Sequence, residues 1–122
     1  MNMEAIGPLQ LRVMHFIWDN GASTVHDVHQ ALNQEAGAPQ LAYTTILTVM
    51  RNLARRKILN QKPSGRSHIF EPLIDEETYK LGLLQQIRED LFAGDGKRML
   101  NLISRDKGLT PKTRKAIADI AG

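Results

Sequence analysis

Apolar residues recur at helical spacing along most of the chain, and the breaks between them mark six helical stretches and one pair of short strands. Leu11, Met14, Ile17 and Trp18 share one side of a helix over about 8 to 19, with Val13 flanking. Pro8 sits in its first turn, where a missing N–H costs nothing, and Asn20-Gly21 ends it. Thr24 followed three residues later by Asp27 is a capping-box variant, and it opens a second helix with Val25, Val28, Ala31 and Leu32 inward. That helix is expected to run to the Gly37-Ala38-Pro39 turn. In the third, Ile46, Val49, Met50 and Leu53 form an unbroken i, i+3, i+4, i+7 stripe. Thr44, Thr48, Arg51 and Arg55 then point directly away, with Thr45 and Asn52 on the flank. Two short strands follow around Pro63-Ser64-Gly65, the second carrying His68, Ile69 and Phe70.

From Asp75 the period is helical again. Asp75, Glu76 and Glu77 lie at the positive end of a helix reaching about residue 92, whose apolar positions are Leu81, Leu84, Ile87, Leu91 and Phe92. Ala93-Gly94-Asp95-Gly96 breaks it before a shorter segment over 96 to 104 with Met99, Leu100, Leu102 and Ile103. Thr110-Pro111 caps a last helix through Lys112 to about Ile120. The fold class expected is mainly α with a small β-hairpin, residues 1–72 forming one unit and residues 73–122 a helical tail. An amino-terminal unit of that size buries only ~60% of its unfolded surface, so little core is spare to cover the tail's stripe. A second copy is the economical cover, with Leu84, Ile87, Leu91, Met99, Leu100 and Ile103 as the dimerisation residues.

At 122 residues the chain allows one domain, or a small domain with an appended module, and excludes two large ones. With no cysteine there is no disulfide framework, no thiolate metal site and no cysteine nucleophile. No apolar run approaches the ~20 residues of a membrane span, and Met1-Asn2-Met3-Glu4 lacks the start of a secretory signal, so a soluble cytoplasmic protein is expected. His26 and His29 lie one helical turn apart, but two ligands do not make a metal site. The serines at 23, 64, 67 and 104 stand in no nucleophile motif and no glycine-rich phosphate loop occurs, so neither an enzyme nor a cofactor is expected.

Charge by position changes the picture more than net charge. Between Glu35 and Glu71 there is no acidic residue, while Arg51, Arg55, Arg56, Lys57, Lys62 and Arg66 all fall there, in a protein whose formal total is +3. A cation run is often only a solvated face. Here the same helix starts with Thr44, Thr45 and Thr48, whose hydroxyls reach base edges, beside helix-start N–H groups that meet phosphate, and together these point to duplex DNA. A protein-interaction module with no specific DNA target is the alternative reading, separable from DNA binding by its weak response to salt.

The chain resembles the penicillinase repressor family of winged-helix transcriptional repressors. The resemblance rests on Leu9 through Trp18, on Leu41-Ala42-Tyr43-Thr44-Thr45-Ile46-Leu47-Thr48-Val49 leading into Arg55-Arg56-Lys57, and on Gly65-Arg66-Ser67-His68-Ile69-Phe70-Glu71-Pro72, and it extends weakly from Asp75 to Ile103. It implies a homodimer with the third helix in the major groove at each half of a palindromic operator and the hairpin wing on the adjacent backbone. Ala42, Tyr43, Thr44, Thr45, Thr48, Arg51, Arg55 and Arg66 would then be the DNA-binding residues. Lys57 stands where such proteins commonly have glycine, so the turn after that helix must close without one. The cysteine cluster of the copper-responsive branch is missing, which excludes thiolate copper sensing. In antibiotic-responsive members a sensor protease cuts after an asparagine in the tail. The equivalent bond here is Asn101-Leu102, with Leu102 in place of phenylalanine and a one-residue deletion after Gly94.

Overall fold

The computed structural model describes residues 6–122; residues 1–4, read above for a secretory signal, lie outside them. The helices are α1 (Pro8–Asn20), α2 (Val25–Asn33), α3 (Tyr43–Arg55), α4 (Glu76–Phe92), α5 (Gly96–Ile103) and α6 (Pro111–Ala121), with strands β1 (Leu59–Ser64) and β2 (Ser67–Pro72) between α3 and α4. No helix among the described residues is long and apolar enough to cross a membrane. The chain separates into two compact units, one ending at Tyr79 and the other Lys80–Gly122.

In the first unit, Gly21 stops α1 with φ 82° while its N–H reaches the Ile17 carbonyl at 2.7 Å. The capping box of α2 forms as expected: Thr24 Oγ1 accepts from the Asp27 N–H at 3.1 Å, and the Asp27 carboxylate accepts from the Thr24 N–H at 3.0 Å. The far end of α2 differs from expectation, closing at Asn33 rather than at the Gly37 turn. Past Leu32 no large apolar side chain is left to bury on another turn. The Asn33 side chain instead clasps Leu41, accepting from its N–H at 2.7 Å and donating to its carbonyl at 3.0 Å.

The α3 stripe of Ile46, Val49, Met50 and Leu53 is buried against Val13, Met14 and Ile17 of α1 and Val28 and Leu32 of α2. Val13, expected only to flank the α1 stripe, is wholly buried, while Leu11 is half-buried. Phe70 of β2 closes this core at 0% exposure. It is held there by paired backbone bonds to Ser23 of 2.8 and 2.9 Å, a single antiparallel bridge beside the two-stranded hairpin. The strands pair antiparallel from Leu59↔Pro72 to Ser64↔Ser67, so Pro63 and Ser64 belong to β1 and the loop is only Gly65-Arg66. Gly65 takes φ 60° at the first central position, as a right-twisted two-residue hairpin loop demands.

Between α3 and β1 the chain does keep a left-handed residue, and it is Lys57 itself, at φ 61°. Its N–H reaches Ala54 and that of Ile58 reaches Leu53, both at 3.0 Å, the two bonds of a Schellman closure. The lysine's Cβ costs about 1–2 kcal/mol there. Burial of Ile58 and Leu59 immediately afterwards offsets it.

This unit extends to Tyr79, seven residues past the Pro72 boundary read from the sequence. The Trp18 indole donates to the Ile74 carbonyl at 3.0 Å and lies 5.6 Å from the buried Tyr79 ring, and the Leu73 N–H donates to Ile58 at 2.9 Å. Asp75 caps α4, its carboxylate accepting the Thr78 N–H at 2.7 Å, and that bond holds its pKa below the usual carboxylate value.

In the Lys80–Gly122 unit, Asp95 caps α5 through the Arg98 N–H at 3.1 Å and Thr110 caps α6 through the Thr113 N–H at 3.2 Å. No residue of this unit is buried. Leu91 is 73% exposed and Leu84 50%, while Ile87, Met99 and Ile103 are half-buried.

Candidate nucleic-acid interface

Because one face of α3 is locked into the core, its opposite face is delivered to solvent. Tyr43, Thr44, Thr45, Thr48, Arg51, Asn52 and Arg55 are all exposed. The start of this helix is unlike those of α2, α5 and α6, each capped by its own Thr or Asp side chain. The α3 N-cap is Ala42, exposed and without a side-chain bond, so its orphan N–H groups face outward beside the threonines.

The sequence-predicted cations divide three ways. Arg51 and Arg66 are brought together, lining opposite sides of a groove of about 310 Å³ between α3 and the hairpin. Arg55 lies outside that groove and rests its guanidinium on Asn52 Oδ1 at 3.1 Å. Lys62 is paired with Glu71 at 2.9 Å, so it adds less to the basic field than its charge suggests. The Lys62 ammonium and the Asn60 amide, both bonded to Glu71, hold that carboxyl below its usual pKa. Cross-strand partners share a face, so Lys62, Glu71 and Asn60 stand on one side of the hairpin while Gln61, His68 and Phe70 stand on the other, toward the groove.

The groove also contains residues the sequence reading did not assign to the site: Thr24 and His26 from the start of α2, and Gln61, Ser67 and His68 from the hairpin. The local signal for His68 is its spacing of two from Phe70, which puts both side chains on one face of β2. Nothing local could have brought His26 there. His26 and His29 part company, since His29 Nε2 meets the Leu41 carbonyl at 2.9 Å and its ring lies 5.8 Å from Tyr43. Among the described residues no three His, Asp or Glu gather as metal ligands. Ser23, Ser67 and Ser104 each donate to a nearby backbone carbonyl.

In the other unit a cleft of about 500 Å³ is lined by Glu89 and Asp90, Arg98 and Arg105, and the apolar Phe92 and Leu102. Asn101 and Leu102 both border it and are exposed, and the Asn101 carbonyl accepts the Ser104 hydroxyl at 2.6 Å.

A helix presented outward by two supporting helices, followed by a β-hairpin carrying basic and polar side chains, defines the winged helix-turn-helix class. Within that class, the profile of the penicillinase repressor family matches residues 6–121, and the chain belongs to this family. It is 32% identical over 80 residues to the transcriptional regulator BlaI of Mycobacterium tuberculosis, in both the CDC 1551 / Oshkosh and the ATCC 25618 / H37Rv strains, covering 65% of this chain and 56% of that protein. The match thus spans little more than half the length of these curated relatives. Among solved structures, the DNA-binding domain of the repressor BlaI superposes with a TM-score of 0.54 at 27% identity, over 63% of this chain and 90% of that one. Monomeric Bacillus licheniformis BlaI, solved in complex with the blaP half-operator, superposes with a TM-score of 0.52 at the same identity and coverage.

Proposed function

We propose that this chain is a DNA-binding transcriptional repressor that acts as a homodimer on a palindromic operator. The observation that carries the reading is the exposed α3 face, with Thr44, Thr45 and Thr48 at an uncapped helix start and Arg51 and Arg66 flanking a groove beside it. Thr44, Thr45 and Thr48, at the end of α3 that starts with Ala42 and Tyr43 on the DNA, dip deepest into the major groove and help read bases, while Arg51, Arg55 and Arg66 mainly hold phosphates. A repressor solved on half an operator shares the fold.

Dimerisation belongs to the helical tail, from Lys80 onward. Leu84, Leu91 and Leu100 stand exposed, with Ile87, Met99 and Ile103 half-covered beside them, as expected of helices completed by a second copy. Joining two small DNA interfaces raises the effective concentration of the second. Release by a sensor protease at Asn101-Leu102 would remove α6 and the end of α5 from both subunits. That bond lies inside a helix, so the eight-residue α5 must open before it is cut, which its exposure makes inexpensive.

Selection from a random duplex library tests the reading. It should return a palindrome with half-sites about 10 base pairs apart, or a multiple of that spacing. On that operator Arg55→Ala should weaken binding to every sequence and lower the salt slope by about one unit, while Thr45→Ala should cost ~1–3 kcal/mol at one base step. No enrichment of any sequence would exclude specific readout.

A further inference from the structure

The groove between the hairpin and α3 holds two histidines with no part in the interface described so far. His26 arrives on the first turn of α2, beside Thr24, and His68 arrives on β2. They are 42 positions apart in sequence and line one concavity of about 310 Å³ with Arg51 and Arg66. That leaves room for a phosphodiester and its solvent.

We infer that His26 and His68, together with Arg51 and Arg66, seat a backbone phosphate of duplex DNA, so that duplex affinity follows the protonation of these two histidines. The inference rests on the DNA-binding reading above and adds two phosphate ligands and a proton linkage to it.

The charges around the pair favour an anion. No carboxylate lines the groove among the described residues. Facing the histidines are Arg51 and Tyr43 from α3 and Arg66 from the hairpin. On α2 itself, Asp27 is folded back onto the Thr24 N–H, and His29 turns to the Leu41 carbonyl. On the hairpin, Glu71 stands on the opposite face, bonded to Lys62 and Asn60. The Thr24 hydroxyl and the Gln61 amide border the same space and can complete the donor set.

Histidine changes charge between pH ~5 and ~8, and a phosphate beside an imidazole favours its protonated form. Binding the duplex and taking up protons therefore reinforce each other, and each imidazolium on a phosphate displaces a condensed counterion. A fall in pH should tighten the complex and make it more sensitive to salt.

The test uses the full chain and a mixed-sequence duplex of ~30 base pairs, with anisotropy titrations between ~50 and ~200 mM salt at pH ~6 and ~8. The wild type should bind roughly tenfold or more tighter at the lower pH, with a salt slope steeper by about one to two units. H26Q/H68Q should lose that difference, binding no more tightly at pH ~6 than at pH ~8, with the core intact because both side chains are exposed. H26K/H68K, with permanent charges, should show the steep slope at both pH values. H15Q, altered outside the groove lining, should behave as the wild type. A pH-independent wild type, or an H26Q/H68Q protein that keeps the low-pH gain, would overturn the inference and leave the DNA-binding reading standing. A wild type that binds no duplex at either pH would overturn both.

Discussion

In the unit ending at Tyr79, thirteen apolar side chains from α1, α2, α3, the hairpin and the turn before it enclose one another, whereas between Lys80 and Gly122 no side chain is buried. Both regions carry apolar residues at helical spacing. The α3 stripe finds α1 and α2 within its own unit. Leu84 and Leu91 of α4 find no such cover and remain 50% and 73% exposed. Helical periodicity therefore specifies which face of a helix seeks cover, but not whether the covering atoms belong to the same chain. With ~1.5–3 kcal/mol at stake for each large apolar side chain fully buried, an uncovered stripe is a standing drive toward association.

The comparison breaks most visibly in the core. Phe70→Ala should destabilise the amino-terminal unit by ~3–5 kcal/mol, because the ring is fully enclosed and its cavity cannot collapse against a paired strand. Urea unfolding followed by Trp18 fluorescence reads this directly, and a loss under ~1 kcal/mol would mean the core does not depend on the hairpin. In the tail the opposite pattern is expected. Leu84→Asp with Leu91→Asp should leave the Trp18 transition unmoved yet cost ~3 kcal/mol or more of dimerisation, a shift above a hundredfold in the sedimentation equilibrium. Unfolding of the amino-terminal unit in that variant would show that the two regions are not energetically separate.

A smaller effect sharpens the contrast between helix starts. Ala42→Asp supplies the cap that α3 lacks and should stabilise the unit by ~1 kcal/mol in thermal melts, while weakening duplex binding by placing a carboxylate where phosphate belongs. Stabilisation with unchanged affinity would remove the α3 start from the interface. The smallest effect belongs to the Lys62–Glu71 pair at the hairpin surface. Because the ammonium and the Asn60 amide depress the Glu71 pKa in the folded protein, its contribution is present above the ordinary carboxylate range and fades as pH falls through the lowered value. Glu71→Gln should therefore melt slightly below the wild type at neutral pH and converge with it in acid. A gap that persists in acid would assign the difference to something other than ionisation.

The parts of the fold legible in the sequence are those governed by neighbours three or four residues away. The Thr24–Asp27 box, the Thr110 cap and the α3 stripe all act within one or two helical turns. The exposed threonine and arginine face follows from that stripe by rotation alone. Where expectation and structure differ, a distant residue intervenes. Leu41 captures Asn33 and α2 ends early; Trp18 holds Ile74 and packs on Tyr79, which carries the first unit past Pro72.

For the site, the sequence by itself determined the reading face of α3 and the sign of its surroundings, because side-chain direction on a helix is set by a fixed rotation per residue. Only the tertiary structure decided that Arg66 joins Arg51 while Lys62 turns to Glu71, and that His26 shares a groove with His68. It also placed Lys57 in a left-handed turn that feeds Ile58 and Leu59 into the core. Those outcomes depend on hairpin register and on how three helices stack, where burying Phe70 and the α3 stripe outweighs the local preferences of the residues carried along.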